Sequence, residues 1–574
     1  MKNIDELLSL QDFSHLSDDE LLDLERQTTK EADAICYKLG IIYNIRDVEL
    51  TIRLDEQIKY IDIAMTLAFK MGVNFVDTLG TVNAWDTYIY RELLKKNIVV
   101  PPSRNAKKEK YDGGYVKEPQ LGMFDWIVSF DLASLYPNII AGFNTSPETI
   151  VENKREPIRN VESILSNEQK NSNANEYSMT ANGVYFRKDI HGILPELVEG
   201  LYSERKIVKS TMISLKTQRE HEYDPEKQKQ LDTQIAIADN QQMAAKIAMN
   251  SLYGCLGTPY FRLFDIRIAE GITQTGQLII RWAEKAINEY LNKILDTKDQ
   301  DYVIAIDTDS LYVNFSPLVE KLNPNNPIDF LDKIAKEKFN PFFEKLYSEF
   351  GEMMGCYSQR MDMKREKICK GFWTGKKRYV LRVYDNEGVR YETPKISITG
   401  IEAVKSSTPA IIRGKLKDVF KIILENDQDK VKAYIDETRK DFMSRTPEEI
   451  ASPRGVSELN KYSDTSTIYS KGTPIHSRAA LLFNHLVKQH NIGNKYYTIN
   501  GGDKILWVYL KVPNPIHENV IGFVDVLPKE FDLHNYIDYN TQFEKTYLNV
   551  MTPIFDSIGW DNLASDSSDL DAFF

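Results

Sequence analysis

AIDTDSLYV, residues 305–313, places two carboxylates, Asp307 and Asp309, between apolar stretches that are rich in β-branched and aromatic residues. Flanks of this kind predict two strands joined by a tight turn. Asp is a common turn former, so a plain hairpin turn explains this stretch equally well when it is taken alone.

A second stretch has the same design. In FDLASLYP, residues 130–137, Asp131 follows the apolar run Trp126–Val128. Carboxylates at strand edges from distant parts of a chain are what a pair of Mg²⁺ ions needs, because Mg²⁺ prefers oxygen ligands and retains water and substrate phosphates. The two stretches together therefore indicate metal-assisted phosphoryl transfer.

Two helical stretches supply cations for the phosphate side of such a reaction. Lys246 and Asn250 in KIAMNSLYG are four residues apart and share one helical face, and Arg205 and Lys209 have the same spacing in an earlier helix. Each basic pair alone is most simply a solvated helix face. A turn signal, Asp224–Pro225, lies between the stretches and predicts an antiparallel helical pair whose cations converge.

These motifs resemble those of family B DNA polymerases. DLASLYP, KIAMNSLYG and DTDS stand in the order of the family's three polymerase motifs, and GKKRYVL (375–381) resembles its primer–template motif. VKEP, SPETI, GFWTGKKRY and KSSTP extend the resemblance to replicative polymerases of T-even-type tailed phages. The resemblance covers roughly Tyr43 to Phe574.

The resemblance implies an α+β right-hand fold that carries out template-directed DNA synthesis in phage replication. The palm would be an antiparallel sheet with helices, the fingers helical and the thumb mixed but largely helical. The implied domains are an N-terminal helical region with an exonuclease remnant (1–102), palm (103–192 and 259–400), fingers (193–258) and thumb with a clamp-binding tail (401–574). Within the thumb, we expect a helix over 409–424 and a loop over 452–466.

The family's metal and nucleotide residues carry over to this sequence one by one. Asp131 and Asp309 match the two metal-binding aspartates, with the Leu132 carbonyl as a further ligand of two Mg²⁺ ions, for which Mn²⁺ could substitute. Asp307 is not a principal ligand in the family pattern. The residues that match the grip on the incoming dNTP are Arg205, Lys209, Lys246, Asn250 and the backbone amides at Ser134 and Leu135.

Three further features match residues that contact the sugar, the base pair and the primer–template. Tyr136 would lie beneath the deoxyribose and exclude a 2′-hydroxyl, and Tyr253 would pack near the nascent base pair; for both, a core tyrosine is the simpler alternative. Lys376, Lys377, Arg378 and Tyr379 are expected on a strand, with Lys377 and Tyr379 on one face. Tyr111–Gly114 resembles the family's YxGG linker.

The N-terminus departs from the family pattern. YNIRDVEL, residues 43–50, resembles the third motif of the proofreading exonuclease, and Asp47 is its carboxylate. The first two exonuclease motifs have no room ahead of it, and Asp47 alone does not hold two metal ions. Either the gene is split, with a separate exonuclease polypeptide, or the chain is a truncated product.

The last residues, SDLDAFF, have the spacing of a clamp-binding peptide. Leu570, Phe573 and Phe574 would enter a pocket on a sliding clamp, although Ser567 stands where many such peptides carry Gln. The alternative is a tail that packs on its own thumb.

Composition is compatible with this interpretation. The chain has 574 residues and a net charge of −12, which argues against a generally basic nucleic-acid binder but allows basic residues to line one cleft. The four cysteines form no CxxC pair, no apolar run approaches the roughly 18 residues of a membrane span, and the N-terminus lacks a signal-peptide layout. We therefore expect a cytoplasmic protein.

Two rival interpretations stay open. A noncatalytic scaffold could retain the fold, but intact Asp131, Asp309, Lys246 and Arg205 argue against it. A protein-primed polymerase would have the same motifs, but such enzymes usually need no clamp.

Overall fold

The computed structural model describes residues 44–102, 107, 109–158, 160–464 and 466–560. It has a mixed α+β fold in which every strand pair is antiparallel. The chain divides into two compact units. The first unit comprises the part before residue 108 together with Leu197–Phe264, and the second comprises Lys108–Glu196 and the part from Asp265 onwards.

The helices and strands follow one another along the chain in three groups. Those before residue 193 are α1 (44–58), α2 (Tyr60–Met71), α3 (Thr81–Lys95), β1 (Gly122–Leu132), α4 (Leu135–Gly142), β2 (Ile150–Arg155), α5 (Val161–Leu165), β3 (Tyr177–Met179) and β4 (Val184–Arg187). The central elements are α6 (Ile193–His221), α7 (Pro225–Leu256), α8 (Ile266–Leu295), β5 (Val303–Asp307), β6 (Ser310–Asn314), α9 (Ser316–Leu322), α10 (Pro327–Ile334), α11 (Asn340–Met354), β7 (Met363–Gly375), β8 (Arg378–Asn386) and β9 (Val389–Thr399). The C-terminal elements are α12 (Ala410–Leu424), α13 (Gln428–Met443), α14 (Pro447–Ile450), β10 (Ser452–Gly455), α15 (Leu459–Tyr462), β11 (Ser463–Asp464), β12 (Ile468–Tyr469), α16 (Ile475–Gln489), β13 (Lys504–Tyr509), β14 (Val520–Phe523), α17 (Tyr539–Phe543) and α18 (Asn549–Ile558).

A six-stranded sheet with the order β5-β6-β1-β7-β8-β9 forms the centre of the second unit. Strand β1 is central, and Ile127 to Phe130 are all buried, as expected for a strand that is covered on both faces. Phe130 packs in an aromatic cluster with Phe315, Phe339 and Phe343. This packing fixes the end of β1, and with it the residue that follows Phe130.

The first unit is helical. Helix α7 begins at Pro225, where the Asp224 side chain accepts a hydrogen bond from the Glu226 amide. Helix α6 ends at His221, and an ion pair of 2.9 Å between Arg219 and Asp232 joins the two helices beside their short connection. The predicted helical pair with a turn at Asp224–Pro225 is therefore confirmed.

The C-terminal part of the second unit packs around a core that also includes Phe372 and Val380 of the central sheet. The three-stranded sheet β10-β13-β14 packs with helices α12 and α16 around buried side chains such as Phe420, Phe483 and Phe523. Helix α12 confirms the helix expected over 409–424. The loop expected over 452–466 is wrong, because β10, α15 and β11 lie in this segment and β10 pairs with β13. In the part of the chain that the structure describes, no helix is long and apolar enough to cross a membrane.

Candidate active site

Asp131 and Asp309 come together at one end of the central sheet. Asp131 on β1 pairs in register with Ser310 on β6, and the Ser310 hydroxyl donates a 2.7 Å hydrogen bond to the Asp131 carboxylate. Asp309 precedes Ser310 in the two-residue turn between β5 and β6, and its carbonyl oxygen accepts a 2.9 Å hydrogen bond from the Leu132 amide. The DTDS hairpin is therefore locked to the end of β1 through its backbone and through a side chain.

Thr308, the first residue of this turn, has a φ of 63°. This left-handed conformation is what a two-residue hairpin turn requires, although a β-branched residue adopts it at a cost. The Thr308 amide donates a 2.9 Å hydrogen bond to the carbonyl oxygen of Tyr115, which holds the turn from the side opposite β6. The strained turn projects Asp309 from the end of the hairpin.

The two aspartates carry like charges, which repel each other. Burial, followed by the charge of Asp131, raises the pKa of Asp309 to about 6. Burial also raises the pKa of Asp131, while the hydrogen bond from Ser310 acts in the opposite direction. Partly buried carboxylates that repel each other offer hard oxygen ligands in an environment that favours a cation, and this donor set fits Mg²⁺.

Glu366 on β7 belongs to the same acidic group but has no place in the sequence motifs. Its charge contributes to the raised pKa of both Asp131 and Asp309, and its carboxylate forms a 2.6 Å ion pair with Lys367. Motif reading missed Glu366 because only the pairing of β7 with β1 brings it near Asp131. The available signal was the charged Arg365–Lys367 triplet directly before the apolar pair Ile368 and Cys369, which is buried in the same strand.

Asp307 has a different partner from the other two aspartates. Its carboxylate forms a 2.8 Å ion pair with Lys377, whose side chain is 56% exposed. This pair links the β5–β6 hairpin to the β7–β8 hairpin. Asp307 is thus engaged by a cation of the protein itself, in line with its weaker claim as a metal ligand.

The sequence predicted a continuous strand for the GKKRYVL segment, but the structure shows a turn within it. Lys376 and Lys377 form the turn between β7 and β8, with Lys377 at a φ of 56°. The expectation that a strand places Lys377 and Tyr379 on one face is therefore wrong in its premise. Both side chains nevertheless reach the β5–β6 hairpin. Lys377 pairs with Asp307, and the buried Tyr379 hydroxyl lies 3.0 Å from that of Tyr312 on β6.

Arg378 and Lys376 are held by acidic residues. The Arg378 guanidinium donates to the carboxylate of Glu402 at 2.7 Å and 3.1 Å and to the Gly400 carbonyl oxygen. Lys376 forms a 3.1 Å ion pair with Glu118. Arg378 therefore stabilises the junction after β9, whereas Lys376 stays half exposed.

Tyr136 lies on the first turn of α4, next to the aspartates. Burial, followed by the charge of Asp309, raises the pKa of its phenol to about 12. Ser134, the residue before this helix, has a φ of 48°, which turns the chain sharply from β1 into α4. The backbone of Ser134 and Leu135 thereby forms the N-terminal end of α4, immediately after Asp131 and Leu132.

The predicted nucleotide-binding and primer–template residues of the first unit lie on its two long helices. Arg205 and Lys209 are on α6, and Lys246, Asn250 and the half-buried Tyr253 are on α7. The Nε of Arg205 is buried and has no hydrogen-bond partner within the residues that the structure describes. Lys209, Lys246 and Asn250 are exposed.

Two further predicted sites come from the two ends of the sequence. Asp47 is exposed on α1. Within the described ranges no group of three or more His, Cys, Asp or Glu side chains is arranged to hold a metal ion, and this holds for the surroundings of Asp47 as well as for Asp131, Asp309 and Glu366. Tyr43, which starts the exonuclease-like motif, and Leu570, Phe573 and Phe574 of the expected clamp-binding tail lie outside the described residues.

The class of protein follows from this site and from comparison with known sequences. The profile of DNA polymerase family B matches residues 80–554, so the chain belongs to this family. It is 30% identical to the DNA-directed DNA polymerases of Escherichia phage RB69 and Enterobacteria phage T4 over 88% and 91% of its own length. A DNA polymerase of Pyrococcus glycovorans is 26% identical to it over 90% of the chain. The chain spans 62%, 63% and 57% of the lengths of these three relatives.

Proposed function

We propose that this chain is the polymerase portion of a DNA-directed DNA polymerase that replicates phage DNA. It would transfer a nucleotide from a dNTP to the primer 3′-hydroxyl under the direction of a template. The observation that carries the proposal is the apposition of Asp131 and Asp309 at the end of the central sheet, within a chain of family B.

Asp131 and Asp309, with the Leu132 carbonyl, would hold two Mg²⁺ ions, for which Mn²⁺ could substitute. The bound metal would supply charge neutralisation on the reacting phosphate and a lower pKa for the primer hydroxyl. The chain's own contribution is to fix the Asp131 carboxylate through the Ser310 hydroxyl, and the backbone of Asp309 through the Leu132 amide, before substrate arrives. Such preorganisation lowers the barrier because nothing needs to move during the reaction.

The incoming dNTP would be bound by the basic face of the helical pair. Arg205, Lys209, Lys246 and Asn250 offer charge-assisted donors, and the buried, unpartnered Nε of Arg205 supports an anionic ligand there. The amides at the start of α4, at Ser134 and Leu135, would contribute to the same task. Tyr136 would lie below the sugar and reject ribonucleotides by collision with the 2′-hydroxyl.

The primer–template would lie against Tyr253 and the β7–β8 turn with Lys376, Lys377, Arg378 and Tyr379. Contacts of this kind position a duplex without reading its sequence, which a template-copying enzyme requires. In a right-hand arrangement, residues 103–192 and 259–400 would form the palm, 193–258 the fingers and 401–574 the thumb. The central antiparallel sheet and the α6–α7 pair support this assignment.

We also propose that proofreading needs carboxylates that the described residues do not bring to Asp47. They would come from a separate exonuclease polypeptide or from a longer form of the chain. Exposed apolar residues on α1 and α2, among them Ile52, Leu54 and Phe69, support a covering partner in this region. The C-terminal residues Leu570, Phe573 and Phe574 would tie the enzyme to a sliding clamp.

A primer-extension assay tests the central proposal. The purified chain should extend a primed template with dNTPs and Mg²⁺, and should stop when the metal is chelated. A parallel reaction without dNTPs should show no removal of a mismatched 3′ end. Failure to extend under any metal condition would favour a noncatalytic scaffold, and degradation that survives in Asp131→Ala but is lost in Asp47→Ala would reveal a complete exonuclease site.

A further inference from the structure

Two glycines from distant parts of the chain border the Tyr136 side chain. Gly276 lies inside helix α8, and a Cβ added to it would stand 3.2 Å from Cε1 of the Tyr136 ring. Gly114 lies in the YxGG segment, and a Cβ added there would stand 2.7 Å from Thr308 Cγ2 and 3.0 Å from the Tyr136 hydroxyl oxygen. Contacts this short leave no space for a methyl group unless the ring moves.

The two glycines belong to one connected wall. Gln277, the neighbour of Gly276 on α8, donates a 2.6 Å hydrogen bond to the Gly113 carbonyl oxygen. The same segment continues to Tyr115, whose carbonyl oxygen receives the Thr308 amide of the DTDS turn. Helix α8, the YxGG segment and the turn with Asp309 therefore form a fixed frame around the phenol.

Gly276 is a poor choice for its local structure. Glycine in a helix interior is destabilising relative to alanine because it loses more conformational freedom on folding. Gly276 is buried in the middle of α8, so helix formation does not explain it. A Cβ at this position would meet Tyr136, Leu135 and Ile139 on α4, and the ring of Tyr136 would be the nearest. The close packing of this ring therefore explains why glycine occupies the position.

We infer that Gly276 is a positioning residue for sugar selection, because its missing side chain sets how far the Tyr136 ring stands from the nucleotide. This inference rests on the proposed function of Tyr136 as the group that excludes a 2′-hydroxyl. A Cβ at Gly276 would stand 3.2 Å from the ring, so the ring must give by a few tenths of an ångström on its α8 side. We place the sugar on the side of the ring that faces away from α8, so this displacement moves the ring towards the sugar.

The expected consequence is a tighter sugar filter. In Gly276→Ala, the efficiency of ribonucleotide incorporation should fall further than that of deoxynucleotide incorporation, so that the dNTP-to-rNTP ratio rises roughly tenfold. One methyl group can provide discrimination on this scale. The effect should appear in the ratio of the two efficiencies, because a general loss of folding or of metal binding lowers both substrates alike.

The experiment is single-turnover incorporation of one dNTP and its matching rNTP on a primed template. It compares the wild type, Gly276→Ala, Tyr136→Ala and the double variant. Gly271→Ala is the matched control, because Gly271 is also buried in α8 and an added Cβ would stand 2.9 Å from Thr180 Oγ1, away from Tyr136. The thermal unfolding midpoint of each variant is recorded alongside.

The inference predicts a larger dNTP-to-rNTP ratio in Gly276→Ala, an unchanged ratio in Gly271→Ala, and no effect of Gly276→Ala once Tyr136 is Ala. An unchanged ratio in Gly276→Ala, with a lowered ratio in Tyr136→Ala, would overturn the inference and leave the sugar filter standing. An unchanged ratio in Tyr136→Ala would instead overturn the filter itself. If Gly276→Ala does not fold, Gly114→Ala takes its place, and a ratio that stays at the wild-type value there would reject the glycine frame.

Discussion

Asp131 and Asp309 are held where their charges are unfavourable. Burial raises the pKa of both carboxyls, and the charge of Asp131 raises that of Asp309 further, yet the Ser310 hydroxyl holds the Asp131 carboxylate and the Leu132 amide holds the backbone of Asp309. Local instability of this kind persists when the surrounding structure over-determines it, and it clusters at functional sites. The two metal ions that we propose for this site would offset the unfavourable charge.

Asp309→Asn should therefore abolish nucleotide addition, with a loss of about 10³-fold or more, while primer–template binding stays nearly intact. The amide keeps the shape of the side chain but removes the charge that a metal ion requires. Rapid-quench extension and a filter-binding assay measure the two quantities. Asp429→Asn, at an exposed position on α13, is the matched control. Near-normal extension by Asp309→Asn would refute the metal assignment.

Local motifs were sufficient to predict that Asp131 and Asp309 lie together, because each lies next to its own apolar strand. They did not reveal Glu366, since its proximity arises from strand pairing between segments far apart in the chain. The alternation of basic and aromatic residues in GKKRYVL predicted a strand, whereas Lys377 adopts a left-handed turn conformation that its sequence does not favour. Side-chain spacing alone does not distinguish a strand from the end of a hairpin.

At the scale of elements, the Asp307–Lys377 pair couples the β5–β6 hairpin to the β7–β8 hairpin. If Asp307 acts through this pair, Asp307→Asn and Lys377→Gln should each lower the extension rate by less than about tenfold. The double variant should then lose no more than the worse single variant, because both changes remove one interaction of modest strength. A loss in Asp307→Asn as large as that in Asp309→Asn would make Asp307 a metal ligand instead.

Glu402 joins the end of β9 to the start of the C-terminal region. Burial disfavours its charge, but hydrogen bonds from Arg378 and Lys405 outweigh burial and lower the pKa of Glu402 to about 2. Because the pKa is lower in the folded protein than the usual value of about 4.3, ionised Glu402 stabilises the fold above pH 5. This contribution is lost as the pH falls towards 2.

Glu402→Gln should accordingly lower the free energy of unfolding by about 1–3 kcal/mol at pH 7. The difference from the wild type should shrink as the pH is lowered from 5 to 3. Urea unfolding across this range measures it, and Glu425→Gln, at an exposed position after α12, is the control. A difference that is constant with pH would show that the ion pairs of Glu402 do not stabilise the folded protein.

Elements with strong local signals followed from the sequence, and elements that depend on distant pairing did not. Asp224 and Pro225 marked the start of α7 because a capping carboxylate and a proline favour the first helical turn. Residues 452–466 read as a loop because β10 contains Pro453 and Gly455, which are unfavourable in strands. Pairing with β13 overrides that local preference.

The whole chain spans less than two thirds of the length of its phage relatives, and its first unit exposes a large apolar surface. On α2, Ile61, Met65 and Phe69 follow one another at intervals of four residues and are 52%, 56% and 91% exposed. The opposite side of α2, with Ala64, Leu67, Ala68 and Met71, is buried, and α2 packs on α7. This exposed apolar stripe supports the covering partner that we propose for this region.

If no partner covers this stripe in the purified chain, the protein should bind an apolar dye such as anilinonaphthalene sulfonate in its native state. Replacing Ile61, Met65 and Phe69 with Gln should remove most of that fluorescence and leave primer extension within about twofold, since the exposed side chains support no packing of the fold. Gln is also a good helix former, so α2 should persist. The control replaces Glu425, Asp429 and Lys440, which lie in a different region, with Gln and should leave dye binding unchanged. Equal fluorescence in wild type and triple variant would mean that the stripe is already covered in solution. The cover would be either residues 1–43 or a second copy of the chain. The proposal of a separate partner for this surface would then fail.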